Sequence, residues 1–539
     1  MHHLQHITEL APAMERMGVR HVIIAPGSRN APITQLFTSN ERFTCHSIVD
    51  ERSAGYVALG MVRQTGKPVV VVTTSGTAVL NLSPAVAEAF HQQLPLVVLT
   101  ADRPREILPQ FNNQVTDQRA PYFNHSKGFF EFPAEVRTED DLQRGLHAVE
   151  ELLKEAVRRP GGPVHVNLPL TQPLYEPLPG LLLTGKSNNG RSSEIMPGRE
   201  ASLPETDLSN KKVLILAGMG AGSKEIRMSL EQIMDHGQVA VVAENISNLV
   251  SEQFISVPEL VLAGADQDEL KELVPDVVIA FGQQVVSRRM KLFVNSLEKA
   301  EIVVIPDEAL VQEWLVAIGR KVGKEVENLY QRSWLTVEER EVVRSSAYLD
   351  AASYCNLVAV RNILDKVPEG TVVHLGNSAT IRNSQLIRAR SGLKYYSNRG
   401  TSGIDGSVST AVGAAMVSDA RHLLLVGDLS FVYDSNALWN KDFPDKLKIV
   451  ILNDGGGGIF RLLDGPGRME FFEEFSVTHH PVSLEMLSHS FGRSFQRVEG
   501  LDGLDEQMEA LFSEGTRLSV LEVDTSSGEN SRIFKELFS

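Results

Sequence analysis

Two acidic motifs in the last third of the chain have the residue types and spacing of a site for a divalent cation. Asp428 follows the apolar run 422–426, and Asp454 follows the apolar run 448–452 and precedes four glycines. Oxygen ligands suit Mg²⁺, which often shares them with bound phosphates, and glycines let the backbone approach phosphates closely. The pattern predicts two strands that bring Asp428, Asp454 and the carbonyl of Gly456 to one sheet edge, around a cation and a diphosphate.

Each half of this pattern also has a simpler interpretation. A lone Asp after a strand is usually a helix cap or a turn residue, because its side chain accepts hydrogen bonds from nearby backbone N–H groups. The paired arrangement, with each Asp placed directly after an apolar run, favours the cation site over two unrelated turns.

Glu51 is an isolated carboxylate far from this pair in sequence. Residues 43–49 are mostly strand-like and residues 53–61 are typical of a helix, so Glu51 lies at a strand-to-helix junction. Sites on α/β sheets lie at such junctions. The alternative is an acidic residue in the first turn of a helix, stabilised by the helix dipole, and Glu51 taken alone favours that alternative.

Two polar turns and six arginines could bind an anionic substrate. The turn 26–32 includes Ser28, and the turn 73–78 includes Thr77; both follow strand-like runs. Arginine grips carboxylates in a bidentate manner, so arginines that converge in space would suit a substrate with several carboxylates. For any one of them a solvent-facing position is the ordinary alternative. The six arginines at element ends are Arg29, Arg103, Arg288, Arg289, Arg382 and Arg399.

Composition restricts the class of protein. The 539 residues carry a net charge of −16 without a long Lys/Arg block, which argues against a nucleic-acid-binding surface. An acidic surface repels anions, so an anion site must be a local cluster of Arg and backbone N–H groups. We find neither a signal-peptide pattern nor an apolar stretch of about 18 residues, and expect a cytoplasmic protein.

Cysteine and histidine give no sign of a zinc site or a disulfide framework. The chain has two cysteines, Cys45 and Cys355, which are too few for either. The pair His479-His480 has no third ligand nearby in sequence, and we interpret it as part of a solvated loop.

The alternation of strand-like and helix-like segments predicts three successive, doubly wound α/β domains with mainly parallel sheets. We place the domains at 1–180, 205–345 and 355–539, with a Pro-, Gly-, Ser- and Asn-rich linker after the first. Predicted helices include 9–17, 54–63, 140–156 and 334–346. Predicted strands are 21–24, 68–72, 96–99, 164–166, 213–216, 239–242, 277–280, 302–305, 372–375, 423–426, 449–452 and 519–523.

The middle segment contains a glycine turn, Gly218-Met219-Gly220-Ala221-Gly222, with Glu244 further on. This resembles the start of a dinucleotide fingerprint, but the third glycine comes too early. A simple glycine turn in an α/β unit is the favoured interpretation, and NAD or FAD binding is the alternative.

Taken together, the motifs resemble thiamin-diphosphate-dependent enzymes and, among these, the 2-succinyl-5-enolpyruvyl-6-hydroxy-3-cyclohexene-1-carboxylate (SEPHCHC) synthase family of menaquinone biosynthesis. The resemblance covers nearly the whole chain. The matching segments are PGSRNAPI (26–33), DERSAGYVALG (50–60), TTSGTAVLNLSPAVAEA (73–89), LTADRP (99–104), NNQ (112–114), LGNSATIR (375–382), NRGTSGIDGSVSTAVG (398–413), GDLSFVYD (427–434) and GGGIF (456–460).

The resemblance implies a pyrimidine-binding domain (1–180), a middle domain (205–345) and a diphosphate-binding domain (355–539). It implies thiamin diphosphate with Mg²⁺ or Mn²⁺ as cofactors, and a homo-oligomer with active sites at the subunit interface. The expected reaction decarboxylates 2-oxoglutarate and adds the resulting carbanion to isochorismate.

Residue roles follow from the resemblance by position. Glu51 is expected to be catalytic, through a hydrogen bond to the aminopyrimidine, and Ile404 to bend the cofactor. The cation ligands are expected to be Asp428, Asp454 and Gly456. Cofactor-binding residues are expected to be Glu51, Thr77, Ser378, Ile404, Gly427, Asp428, Leu429, Ser430, Asp454, Gly456, Gly457 and Ile459. Substrate-binding residues are expected to be Ser28, Arg29, Arg103, Asn113, Gln114, Arg288, Arg289, Ser378, Arg382, Arg399 and Phe460.

Two positions depart from the family pattern: Asp454 replaces a usual Asn, and Arg288-Arg289 replaces Lys-Arg. Two other hypotheses remain open. The chain could be another thiamin-diphosphate carboligase or 2-oxo-acid decarboxylase, or a nucleotide-binding or scaffold protein on a former enzyme fold. The presence of Glu51, Asp428 and Ile404 argues against the last.

Overall fold

The fold is that of a computed structural model, which describes residues 4–105, 113–178, 207–220, 222–235, 237–305, 307–322, 327–462, 465–526 and 529–539. The chain forms two compact units. The first consists of 1–198, 398–419 and 434–444, and the second of 199–397, 420–433 and 445–539. Within the described residues, we find no helix with the length and apolar character needed to cross a membrane.

Three sheets of six, four and six strands are described. The first sheet lies in the first unit and the other two lie in the second. The strands are β1 His21–Ile24, β2 Thr44–Ser47, β3 Val69–Thr73, β4 Leu96–Asp102, β5 Phe129–Glu131, β6 Val164–Pro169, β7 Val213–Ala217, β8 Val239–Ala243, β9 Val277–Phe281, β10 Glu301–Val304, β11 Val372–Leu375, β12 Lys394–Tyr396, β13 His422–Gly427, β14 Leu447–Asn453, β15 Phe495–Val498 and β16 Val520–Asp524.

Helices connect the strands, as parallel pairing requires. They are α1 Gln5–Thr8, α2 Leu10–Arg16, α3 Ala31–Thr38, α4 Glu51–Thr65, α5 Thr77–Asn81, α6 Ser83–His91, α7 Glu139–Val157, α8 Lys224–Met234, α9 Pro258–Gly264, α10 Gln267–Leu273, α11 Arg288–Asn295, α12 Glu308–Lys321, α13 Leu329–Ala351, α14 Asn356–Lys366, α15 Ala379–Ser384, α16 Ser407–Met416, α17 Asp428–Tyr433, α18 Leu484–Ser490, α19 Leu501–Phe512 and α20 Asn530–Glu536. Short 3-10 helices cover Phe123–His125, Asn245–Ser247, Ser435–Trp439, Gly458–Leu462 and Pro466–Arg468, and a π-helix covers Glu473–Val477.

The first and third sheets share one strand order. Their orders are β2-β1-β3-β4-β6-β5 and β12-β11-β13-β14-β16-β15. Within each of the two sheets, every pair of neighbouring strands is parallel. The four-stranded sheet has the order β10-β9-β7-β8. The expected α/β class with parallel sheets is confirmed.

Apolar runs explain why the central strands form. All five residues of β3 are buried, and four of them are valine, as expected for a strand covered on both faces. The sequence also predicts β1 and β11 at their observed bounds. It misses the short strands β5, β12 and β15, all of which lie at the edges of their sheets.

In the first unit, α4 and α16 pack with their backbones in contact. A Cβ on Gly60 would lie 2.0 Å from the Thr410 carbonyl oxygen, and a Cβ on Gly413 would lie 1.9 Å from the Val57 carbonyl oxygen. Only glycine permits such an approach. The segment that carries Arg399 is thereby joined to the helix that begins at Glu51.

Candidate active site

The two predicted cation ligands follow adjacent parallel strands of the third sheet. Gly427 at the end of β13 pairs with Leu452 on β14. Asp428 is 2% exposed, and its Oδ1 accepts a hydrogen bond from the Leu429 backbone N–H at 2.9 Å. Asp454 Oδ2 accepts from Asn356 Nδ2 at 3.1 Å. The sheet therefore brings both carboxylates to one edge.

Burial disfavours the ionised forms of these two carboxyl groups, so a nearby positive charge would stabilise them. It raises the pKa of Asp428 to about 7. Burial, and then the neighbouring charge of Asp428, raise the pKa of Asp454 to about 7. One buried and one half-buried acid that repel each other suit a divalent cation, since the cation favours their ionised forms. The donor set thus fits Mg²⁺ or Mn²⁺.

The turn after Asp454 requires glycine. Gly455 and Gly456 have φ of +81° and +141°, values that residues with a side chain rarely adopt. A Cβ on Gly456 would lie 2.5 Å from the Val477 carbonyl oxygen, and one on Gly458 would lie 1.9 Å from Asp454 Oδ2. The turn is thus folded closely around the carboxylate that it follows.

Other predicted cofactor residues surround the same edge. Leu429 is half-buried and Ser430 is buried in the first turn of α17. Ile459 is half-buried in the 3-10 helix Gly458–Leu462, where Phe460 is 40% exposed. Gly457 packs against the Ser476 and Val477 carbonyls, and a Cβ on Gly427 would meet no atom within 4 Å.

His480 belongs to this edge, although no local sequence pattern predicted it. Its Nε2 lies 3.2 Å from Asp428 Oδ2, and its side chain is 13% exposed. His479 is exposed and contacts the Gly455 carbonyl at 2.6 Å. The prediction of a solvated loop is therefore wrong for His480, because the glycine turn packs on the segment 473–477 and brings the next residues over Asp428.

In the first unit, Glu51 is the first residue of α4. The helix is capped by Asp50, whose Oδ1 accepts from the Arg52 and Ser53 N–H groups at 2.9 and 3.3 Å. Glu51 is half-buried, and Asn81 Nδ2 approaches its Oε2 at 3.5 Å. Glu51 is thus a first-turn acid as the simpler interpretation expects, but the capping itself is done by its neighbour.

Arg29 and Arg103 converge at the carboxyl edge of the first sheet. Arg103 Nη1 donates to Ser75 Oγ and to the Gln114 carbonyl, both at 2.8 Å. Arg29 Nη1 donates to the Leu170 carbonyl at 2.9 Å. Burial, and then the charge of Arg103, lower the pKa of Arg29. The Asp102 carboxylate acts on both guanidinium groups and offsets part of this repulsion. Two guanidinium groups that converge in this way suit an anionic ligand.

The remaining predicted residues of this edge are exposed. Asn113 precedes Gln114, whose φ is +58°. Ser28 lies in the turn after β1, and Thr77 is the first residue of α5. All four side chains are open to a ligand. Asn112, the first residue of the matching NNQ segment, lies outside the described residues.

A second arginine cluster surrounds Glu259 in the second unit. Ser287 Oγ and the Arg289 backbone N–H donate to Glu259 Oε2 at 2.6 and 3.0 Å. Burial lowers the pKa of Arg382, and the nearby Glu259 and Arg288 act on it in opposite directions. Ser378, which precedes the helix of Arg382, has φ of +73°. A strained residue of this kind often marks a functional site.

Arg399 and Ile404 lie on a loop of the first unit, residues 398–406. Arg399 is 8% exposed and Ile404 is half-buried. Arg399 therefore belongs to a different compact unit from Arg382 and Ser378, although all three are expected to bind one substrate.

Other backbone segments of the protein fill the space beside the glycine turn of the middle sheet. A Cβ on Gly218 would lie 1.9 Å from the Gln283 carbonyl oxygen, and the Gly220 N–H donates to the Ile246 carbonyl at 3.1 Å. Glu244 is 2% exposed and accepts from the Val286 and Ser287 N–H groups at 2.5 and 2.7 Å. These contacts favour a structural turn over dinucleotide binding. Ala221 lies outside the described residues.

Two family profiles match the chain. "Thiamine pyrophosphate enzyme, N-terminal TPP binding domain" matches residues 7–120, which include Glu51 and Thr77. "Thiamine pyrophosphate enzyme, C-terminal TPP binding domain" matches residues 376–523, which include Asp428 and Asp454. Profiles of thiamin-diphosphate-binding domains therefore match both ends of the chain.

Curated relatives match over nearly their whole length. A 2-succinyl-5-enolpyruvyl-6-hydroxy-3-cyclohexene-1-carboxylate synthase from Desulfotalea psychrophila is 35% identical over 521 residues, which cover 93% of this chain and 95% of the relative. Proteins of the same name from Flavobacterium johnsoniae and Porphyromonas gingivalis are each 33% identical over 99% of this chain, and cover 98% and 96% of their own lengths. The chain belongs to the family of 2-succinyl-5-enolpyruvyl-6-hydroxy-3-cyclohexene-1-carboxylate synthases, which are thiamin-diphosphate-dependent enzymes.

Proposed function

We propose that this protein catalyses the SEPHCHC synthase reaction of menaquinone biosynthesis. 2-Oxoglutarate loses CO₂, and its remaining four-carbon unit forms a carbon–carbon bond with the conjugated alkene of isochorismate. The observation that carries the proposal is the match to relatives of this name over more than nine-tenths of the chain. The acidic edge at Asp428 and the two arginine clusters support it.

The third sheet would hold the cofactor. Asp428, Asp454 and the Gly456 carbonyl would bind Mg²⁺ or Mn²⁺, and Gly427 and Ser430 would lie beside the diphosphate. Bound thiamin diphosphate supplies the electron sink for the loss of CO₂. The extra carboxylate of Asp454 adds negative charge beside a diphosphate, so this protein would depend strongly on its cation.

Glu51 would hydrogen-bond the aminopyrimidine ring. Its place in the first turn of α4, next to a cap supplied by Asp50, keeps its carboxylate available for a ligand. Ile404 would be an apolar contact that fixes the conformation of the cofactor, and Thr77 would lie beside it. Correct placement of reacting groups contributes several kcal/mol to such reactions.

Two sets of arginines would each bind one of the two substrates. Ser378, Arg382 and Arg399 would bind the carboxylates of 2-oxoglutarate. The protein has a net charge of −16, so local clusters of this kind are needed to attract anions. Isochorismate would be bound by Ser28, Arg29, Arg103, Asn113, Gln114, Arg288, Arg289 and Phe460.

We further propose a cytoplasmic homo-oligomer with active sites at the subunit interface. The pyrimidine-binding segment 1–180 of one subunit would face the diphosphate-binding segment 355–539 of another, with 205–345 as the middle domain. Support comes from the family matches at both ends of the chain.

A product assay tests the proposed function. The protein is incubated with 2-oxoglutarate, isochorismate, thiamin diphosphate and Mg²⁺, and the products are identified by mass spectrometry. We expect SEPHCHC and CO₂ in equal amounts, and little CO₂ when isochorismate is omitted. Rapid CO₂ release without the acceptor would identify a decarboxylase instead. Glu51→Gln serves as the control for non-enzymatic conversion.

A further inference from the structure

A buried carboxylate on α6 holds the loop that carries Arg399. Glu88 has no exposed surface. It accepts hydrogen bonds from the Gly400 N–H at 2.7 Å, the Thr401 N–H at 2.6 Å and Thr401 Oγ1 at 2.6 Å. Bonds from N–H groups to a carboxylate are about twice as strong as neutral ones. The residue directly after Arg399 is thus fixed by an acid more than 300 positions earlier in the chain.

The loop needs such support because its backbone is strained. Ser402 has φ of +62°, a conformation that costs a residue with a side chain about 1 kcal/mol or more. Tyr56 donates to Asp405 at 3.0 Å, and Asn398 donates to Thr410 Oγ1 at 2.9 Å. These contacts fix the two ends of the loop, whereas Glu88 fixes its middle, between Arg399 and Ile404.

The loop also lies directly against α6. A Cβ on Gly400 would lie 2.8 Å from the Glu88 carbonyl oxygen and 3.0 Å from the His91 Cβ. Behind Glu88, Gln92 donates to its carboxylate, and Arg63 in turn donates to Gln92. Since these side chains fix the carboxylate from the other side, Glu88 cannot follow the loop if the loop moves.

We propose that Glu88 is a positioning residue for 2-oxoglutarate binding, which acts by holding Arg399 through the backbone of Gly400 and Thr401. The proposal rests on the proposed function, since it takes Arg399 to bind that substrate. Glu88 lies in the segment 73–89 that resembles the family, but that resemblance assigned it no role. Its role follows from its burial and from the three hydrogen bonds that it accepts from the loop 398–406.

The test compares Glu88→Gln with Glu338→Gln in the complete protein. Glu338 is a matched control, because it is 1% exposed and accepts from the Ser256 and Val257 N–H groups at 2.6 and 2.8 Å, within the second unit. We expect Glu88→Gln to raise KM for 2-oxoglutarate by about 10-fold or more, with KM for isochorismate within about 2-fold. Glu338→Gln should leave both KM values unchanged.

A second measurement is independent of turnover. Hydrogen exchange followed by mass spectrometry should show faster exchange at Gly400 and Thr401 in Glu88→Gln than in the wild type. If Glu88→Gln does not fold, Thr401→Val removes one of the three bonds and should raise the same KM by a smaller factor.

The outcomes separate the two proposals. Wild-type protein without synthase activity would overturn the proposed function, while faster exchange in Glu88→Gln would still show that Glu88 holds the loop. Active wild type together with an unchanged KM for 2-oxoglutarate in Glu88→Gln and Thr401→Val would overturn the positioning role alone. Adding Glu88→Gln to Arg399→Ala should raise KM no further, because both changes act on one contact.

Discussion

Asp428 and Asp454 stand side by side after two paired parallel strands, where Asp428 is buried and Asp454 is half-buried beside its charge. Asn356 and the Leu429 N–H provide hydrogen bonds to them, yet the pKa of each carboxyl is raised to about 7. Such a pair is unstable when both groups are ionised without a cation, so binding of the proposed cation would stabilise the fold here.

Asp428→Asn and Asp454→Asn should therefore differ. Asp428 lies deeper, and its loss removes the carboxylate that the cation most needs, so cofactor affinity with Mg²⁺ should fall by about 10-fold or more. Both variants keep a side-chain oxygen and remove one negative charge, but Asp454 is the less buried of the two and stands where the family usually has Asn, so Asp454→Asn should still bind the cofactor. Titration of thiamin diphosphate, followed by tryptophan fluorescence with and without Mg²⁺, measures both. Unchanged affinity in Asp428→Asn would contradict the assignment.

Glu51→Gln should abolish nearly all turnover while the cofactor still binds. The amide keeps the size of the side chain but removes the ionised form. Glu139→Gln is the matched control, because Glu139 is also the first residue of a helix and its cap is supplied by the preceding residue. The Glu139→Gln variant should lose only the helix-dipole contribution to the free energy of unfolding, about 0.3–1 kcal/mol. We expect a small decrease in Tm and full activity. Activity of Glu51→Gln within a few-fold of wild type would refute the catalytic role.

Arg399→Ala should chiefly raise KM for 2-oxoglutarate, by about 10-fold or more, because charge-assisted hydrogen bonds to a carboxylate are lost. Steady-state kinetics with each substrate varied in turn measures the change. Arg137→Ala is the control, since the side chain of Arg137 is 80% exposed and pairs with Glu135. If the KM for isochorismate rose instead, the two substrate assignments would have to be exchanged.

Gly413→Ala should destabilise the first unit strongly. The new methyl group would meet the Val57 carbonyl oxygen at 1.9 Å, so α4 and α16 would have to separate, at a cost of roughly 2 kcal/mol or more. Gly503→Ala, within α19, is the control: its nearest neighbour would be 3.5 Å away, and alanine should stabilise that helix by up to about 1 kcal/mol. Denaturant unfolding measures the free energy of unfolding of both variants and of the wild type. If Gly413→Ala were as stable as the wild type, the close contact between α4 and α16 would be excluded.

His165 should make the fold sensitive to acid. Burial lowers its pKa to about 3, whereas the unfolded chain takes up a proton near the ordinary value of 6.5. Below that value the unfolded state binds more protons than the folded state, so stability falls as the pH falls. The loss from this one group is ~2 kcal/mol at about pH 5.

The measurement is Tm as a function of pH between about 7 and about 5. His165→Asn should reduce the fall in Tm toward low pH in part only, because burial also lowers the pKa of His422 to about 4. Asp428 and Asp454 act in the opposite direction, since their pKa is raised to about 7 and stability from these groups falls as the pH rises. An unchanged slope in His165→Asn would show that His165 does not titrate between the two states.

Local patterns predicted the elements that carry the site. The buried valine run of β3 and the apolar runs before Asp428 and Asp454 have the composition of strands covered on both faces, and they form such strands. The edge strands β5, β12 and β15 were missed, since a strand with exposed positions lacks that composition. Glu51 was placed at the start of a helix, but the sequence did not distinguish its role from that of Asp50.

Local sequence patterns could not predict contacts between residues that lie far apart in the chain. His480 beside Asp428, and Glu88 under the loop of Arg399, carry no local signal, because their roles depend on contacts 52 and more than 300 residues away. The glycine turn at Gly218 shows the converse. A simple turn was the favoured interpretation and dinucleotide binding the alternative, and only the structure shows that the backbone at Gln283 fills the space beside Gly218.

The amino-acid sequence by itself determined the chemistry that this protein has at its disposal: carboxylates and glycines after apolar strands, arginines at element ends, and an α/β fold. Periodicity and turn chemistry fix such features within a few residues of each other. Only the tertiary structure decided which groups meet, which carboxylates are buried together and which loop a distant acid supports. Those contacts follow from packing across sheets and helices, where a close approach such as that of Gly413 to Val57 fixes how α16 packs on α4.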